Sequence, residues 1–190
     1  MSHGTGSGVA MGGIDPDTPD FLKPLAQLLH WTNQAMVILG MVALLVASLV
    51  LTYSVVSRYV MQASTDWQDE AAVFCLVGAT FMCGAFVQAL RGHVGIEAVA
   101  GLLPASLNQW RLVSVDLLGS LFCSFFSWKS WTLFHEAWVE QQTTSSSWAP
   151  PLWIPYGLMA AGMTLLSLQL LVQLSARVNG LRKTLSGVGA

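Results

Sequence analysis

Charge is what this chain has least of. Only 9% of its 190 residues are charged and 54% are hydrophobic, whereas about 25% of an ordinary soluble domain is charged. So few charges cannot coat a water-soluble surface of this size, which excludes an ordinary soluble domain. A net charge of −2 excludes a strongly basic protein, so no nucleic-acid partner is expected. Paired thiols are missing too. Cys75, Cys83 and Cys123 lie inside apolar runs and form no C-x-x-C pair, which argues against a membrane thiol oxidoreductase. They read as small buried hydrophobes.

Other absences bear on function. A haem-bearing helical bundle needs histidines at matching depth on facing helices. Here His30 and His93 fall near one membrane boundary, His135 near the other, and none is mid-span. A redox-enzyme membrane anchor therefore stays open only as an alternative. Secondary carriers usually show repeats and binding groups near the bilayer midplane. This chain shows no internal repeat, and its first two spans have no central ionisable residue. Catalytic, metal-binding, substrate-binding and cofactor-binding residues are accordingly not assigned, and no enzyme activity is expected.

What the sequence does have is long apolar runs. A helix needs about 20 apolar residues to cross a bilayer, and four segments qualify: about 35–56, 71–90, 112–134 and 153–174. Strands of a membrane barrel would be shorter and alternate in polarity. The fold expected is an all-α integral membrane protein, four transmembrane helices making one domain over 35–177. Residues 1–20 are Gly-rich and acidic where a signal peptide is basic, and read as a disordered leader. Residues 21–34 place Phe21, Leu25, Leu28, Leu29 and Trp31 roughly on one face, an interfacial helix. An amphipathic connector follows the second span, and 178–190 form a tail.

Basic residues orient the spans. With a cytoplasmic N-terminus, Lys23, Arg91, Arg111, Arg177, Arg182 and Lys183 all fall on the cytoplasmic side, and so does the C-terminus. Trp67, Trp138, Trp148, Trp153 and Tyr156 then flank the outer ends, where amphipathic rings prefer the headgroup layer. The polar link "QQTTSSSWAPP" reads as an extended external loop.

Several residues have both a structural and a functional reading. In "STDWQDE", Thr65 and Gln68 fit a capping box opening the second helix. Glu70, beside Trp67, either supports that helix start or touches another subunit. Ala71, Cys75, Ala79 and Cys83 form a small-residue ladder with Gly78 close by, suited to helix packing. Asp116 and Lys129 lie thirteen residues apart, about 20 Å along a helix, and so do not pair with each other. Both read as interfacial charges, Lys129 snorkelling outward, with a partner-subunit contact as the other reading. In "LRGHVGIEAV", Arg91 is a cation at a helix C-terminus and at the cytoplasmic surface. His93 sits at the water boundary, and Glu97 is placed to hold either of them.

The order of these motifs resembles the small membrane subunit of tripartite ATP-independent periplasmic (TRAP) transporters, the DctQ-like family. The resemblance rests on W-Q-D-E at Trp67–Glu70, Gly78–Ala79 in the next span, R-G-H-V-G-I-E-A-V at Arg91–Val99, and Ile154–Pro155 before the fourth helix. Val94 stands where the family pattern has isoleucine, and Glu97 where it has aspartate. The resemblance implies a small permease subunit in the bacterial inner membrane. Its partners would be a large multi-span TRAP permease subunit, a periplasmic substrate-binding protein and membrane lipids. It further implies sodium-coupled uptake of an organic acid, with this chain bracing the static scaffold. Trp67, Glu70, Gly78, Arg91, His93 and Glu97 are then candidates for subunit interface or fold support.

Overall fold

The computed structural model describes residues 18–62, 65–90 and 105–187; for 66, 105–109 and 183–187 the description covers the backbone alone. The described residues form four long helices and no strand: α1 (Lys23–Val56), α2 (Asp66–Ala89), α3 (Ala105–Val139) and α4 (Trp153–Gly187). All four are long and apolar enough to cross a membrane, and the protein is an all-α integral membrane protein. Hydrocarbon offers no partners to the backbone, so each run satisfies its own N–H and C=O groups as helix.

Helix ends differ from the sequence reading. Residues 23–34 are not a separate interfacial helix but the opening turns of α1, which runs 34 residues without a break. That is about 51 Å of helix against a hydrocarbon core of about 30 Å. Pro24 falls in the first turn, where its missing N–H costs no hydrogen bond. No breaker follows, and Ala26 and Leu29 are buried with Val172 of α4. At its other end α1 passes into a π-helical stretch, Ser57–Met61, and stops at Gln62 with φ 50°. The presumed tail likewise continues α4 to Gly187. The connector after α2 lies largely outside the described residues, as do Arg91, His93 and Glu97.

The helices pair as two antiparallel hairpins. Gly40 of α1 meets Cys83 and Ala79 of α2, and Gly157 of α4 meets Phe134 of α3. Parallel packing of α2 on α4 joins the hairpins: Gly78 faces Leu158, Gly162 faces Phe81, and Gln88 bonds Gln173. The spatial order is thus α1–α2–α4–α3, with α1 also touching α4 near Asn33. Glycine is required at one of these crossings, Gly162, and at Gly40 any larger residue would need Cys83 to turn aside. A Cβ on Gly40 would overlap Cys83 Sγ, and one on Gly162 would overlap the backbone carbonyl of Phe81. Close backbone approach of this kind is how helices associate where lipid removes the hydrophobic drive between them.

The link between α3 and α4 is a compact turn rather than an extended loop. Leu152 N donates to Gln142 O at 2.9 Å, Thr144 N to Pro150 O at 3.1 Å, and Thr143 bridges Pro151. Gln141 and Ala149 take positive φ of 52° and 46° to close it. Trp148 of this turn packs edge-on against Trp67 at 6.5 Å, and Trp138 against Trp153 at 5.0 Å. The first pair ties the two hairpins together at the loop end and the second closes the α3–α4 hairpin; the opposite end carries the start of α1 and the end of α4.

Candidate functional site

The most organised polar feature runs along α4 toward the termini end. Gln169, Gln173 and Arg177 are spaced by four, which sets them one above another on a helix. Each engages a different helix. Gln169 Oε1 accepts from Asn33 Nδ2 of α1 at 3.1 Å. Gln173 Oε1 accepts from Gln88 Nε2 of α2 at 2.9 Å, and Gln173 Nε2 donates to the Gln88 carbonyl at 3.0 Å. Arg177 Nε pairs with Asp116 Oδ2 of α3 at 2.8 Å, with side chains only 20% and 10% exposed. Nearer the middle, Thr164 Oγ1 shares a hydrogen bond with Ser127 Oγ at 2.9 Å and accepts from Trp131 Nε1 at 3.0 Å. Helix α4 is therefore the hub, and it is also the most buried: 39% of its apolar window is inside the protein, against 11–17% for the others.

Such bonds between membrane helices are worth about 0.6 kcal/mol on average and up to about 1.7. Replacing Gln173 by leucine removes two of them while keeping the volume close. The expected loss in the unfolding free energy of the detergent-solubilised chain is about 1–2 kcal/mol, read from denaturant-induced loss of helical circular dichroism.

A second clasp closes the α1–α2 turn. Arg58 donates to Thr65 Oγ1 through Nε at 3.2 Å and Nη2 at 2.5 Å, and pairs with Asp69 Oδ2 at 3.0 Å. Ser54 Oγ donates to Asp69 Oδ1 at 3.1 Å. This clasp replaces the expected capping box. Thr65 is the N-cap of α2 but makes no capping bond, because its hydroxyl is taken by Arg58. Gln68 is buried, and its Oε1 has no hydrogen-bond partner among the described residues. Arg58 and Asp69 are 60% and 50% exposed, so Arg58→Ala is expected to change stability by no more than about 1 kcal/mol.

The other candidates are distributed, not gathered. Trp67 packs on Trp148 of the same chain. Gly78 faces Leu158 of α4. Glu70, one turn into α2, is half-buried, and its Oε2 has no hydrogen-bond partner among the described residues. Asp116 pairs with Arg177 of α4. Lys129 lies within a helix longer than the span read from the sequence. Helix α3 does not end near Phe134 but runs on to Val139, which leaves Lys129 nearly three turns from its end. No breaker intervenes, and Trp138 holds that last turn against Trp153. Lys129 is exposed, with its ammonium 5.3 Å from the centroid of the neighbouring Trp128 ring. A lysine at the centre of an isolated membrane helix costs about 2.5–3.5 kcal/mol on insertion scales.

Among the described residues no group of three His, Cys, Asp or Glu is arranged to hold a metal. Several polar side chains of α4 hold helix to helix, in a multi-span helical membrane protein. Its family follows from sequence comparison: residues 47–180 match the model for the DctQ component of tripartite ATP-independent periplasmic transporters. The chain belongs to that family, and is thus a transporter component. No curated protein and no solved structure matches the chain.

Proposed function

We propose that this chain is the small permease subunit of a TRAP transporter, holding the static scaffold against which the mobile part of the large permease subunit works. Uptake is of an organic acid, driven by sodium and delivered by a periplasmic binding protein. The observation that carries this reading is the α4 ladder. Gln169, Gln173 and Arg177 lock α4 to α1, α2 and α3 in turn, and a body fixed at three successive levels resists shear. Trp67, Glu70, Arg91, His93 and Glu97 belong, on this reading, to fold or subunit contact and not to solute binding.

Co-expression with a large TRAP permease subunit from the same host tests the assignment. The two chains are expected to purify as a stable complex in mild detergent; separate elution of two folded chains contradicts it. Within the complex, Glu70→Ala and Arg91→Ala are expected to leave the sodium-to-solute ratio unchanged. A shifted ratio in an intact complex would move these residues into the transport pathway.

The chain is assigned to the inner membrane with both termini cytoplasmic. Lys23, Arg111, Arg177 and Arg182 at the termini end support this orientation. In intact spheroplasts, Ser145→Cys in the α3–α4 turn is expected to react with a membrane-impermeant maleimide. Protection of that thiol until the membrane is permeabilised reverses the topology.

A further inference from the structure

The helix array has two outer faces, and they differ in chemistry. The outward stripe of α1, at Ile38, Val42, Leu45 and Leu49, is aliphatic and 52–70% exposed, which suits lipid tails. The outward stripe of α3 runs through Leu118, Phe122, Phe125, Trp128 and Lys129 at helical spacing. Its apolar members are 55–67% exposed, yet it carries an ammonium. Aromatic rings are enriched at protein interfaces, and a lone ammonium is poorly suited to lipid tails.

Depth sharpens the contrast. Trp138, at the level of the loop-end ring cluster, is nine residues beyond Lys129, or about 13 Å of helix. Glu136, the acid ahead of it on the same face, is seven residues on, about 10 Å away. The ammonium is turned onto Trp128 instead, and none of the ion pairs among the described residues includes Lys129. An intramembrane ionisable residue normally faces a protein neighbour that supplies its counter-charge. Within this chain the inward side of α3 already belongs to α4, through Ser127, Trp131 and Asp116.

We infer that the Phe122–Phe125–Trp128–Lys129 face of α3 is the surface on which the large permease subunit docks, through a transmembrane helix that offers Lys129 a carboxylate at matching depth. This rests on the assignment as a small permease subunit and adds to it the face and the chemistry of the contact. The aromatic side chains supply area at low conformational cost, and the single charge fixes register along the helix.

Site-specific photo-cross-linking in the co-expressed complex decides it. A benzophenone amino acid is placed singly at Phe122, Phe125 or Lys129 of α3, and at Val42 or Leu45 of α1. Cross-links to the large permease subunit are expected from the α3 positions and not from α1. Alongside, Lys129→Glu is expected to lower recovered complex at least tenfold while Lys129→Arg retains it, each variant chain still eluting alone as a folded species. Permease cross-links from α1 only, or lipid adducts alone from all three α3 positions, overturn the docking face while leaving the subunit assignment standing. Failure of the unaltered chain to bind the large permease subunit removes both.

Discussion

Gly162→Ala is expected to separate the two hairpins. A methyl group on Gly162 would be driven into the backbone carbonyl of Phe81, where α4 packs against the backbone of α2. A side-chain neighbour can rotate aside, but a carbonyl in a helix cannot, so the helices themselves must move apart. Overpacking of this kind costs about 1–3 kcal/mol and sometimes more. Its effects spread to the Gln88–Gln173 contact on the same helix pair. Gly84→Ala is the matched control, since a Cβ there would meet only Leu166 Cδ2, at 4.0 Å. Its stability is expected to stay within about 0.5 kcal/mol of the parent. Thermal unfolding in detergent, followed by the fraction remaining monodisperse, reads both. Equal midpoints for the two variants would mean that the α2–α4 crossing is not as close as described.

Removing one partner of the Asp116–Arg177 pair is the second large effect. Both groups are mostly buried between α3 and α4. Asp116→Ala leaves a guanidinium without its carboxylate in a low-dielectric position, and Arg177→Ala does the converse. Truncating one member of a buried pair costs about 3–5 kcal/mol, whereas replacing both by apolar groups of similar volume is often close to neutral. With Asp116→Leu and Arg177→Met as the single variants, the double variant Asp116→Leu/Arg177→Met is therefore expected to be more stable than either of them. This non-additivity is the signature of the pair, and a double-mutant cycle on unfolding free energy measures it. Additive losses would place the two side chains in separate roles.

Some of this was legible in the sequence, for physical reasons that name its limits. The four spans follow from hydrocarbon's demand for internally satisfied backbone, which composition alone reveals. The order of Trp67, Glu70, Gly78–Ala79 and Arg91–His93 carried the family resemblance, and the match over 47–180 agrees with it. Span ends were harder. Nothing in apolarity marks where α1 begins, because Ala26, Leu29 and Asn33 are helical through packing on α4. The same holds for α3, whose last turn is held by Trp138 against Trp153.

The α4 ladder was missed although its signal was present. Gln169, Gln173 and Arg177 recur every four residues in an apolar helix, an arrangement that brings polar groups to one face. Their partners could not be read the same way. Asn33 is 136 residues from Gln169, and Gln88 is 85 from Gln173, so only the tertiary arrangement pairs them. In the sequence Arg177 reads as a flanking cation, because charge near a span end has an adequate local explanation. The partner on α3 gives it a different one.

On the proposed function, transport requires this chain because it supports the large permease subunit. Solute uptake into proteoliposomes carrying an inward sodium gradient measures that requirement. The large permease subunit and its periplasmic binding protein are reconstituted with this chain, without it, and with the Gln173→Leu/Asp116→Ala variant. Uptake is expected to require the chain, and the variant is expected to lower the maximal rate in proportion to intact complex while leaving the solute concentration at half-maximal rate unchanged. Full uptake by the large permease subunit without this chain would contradict the account.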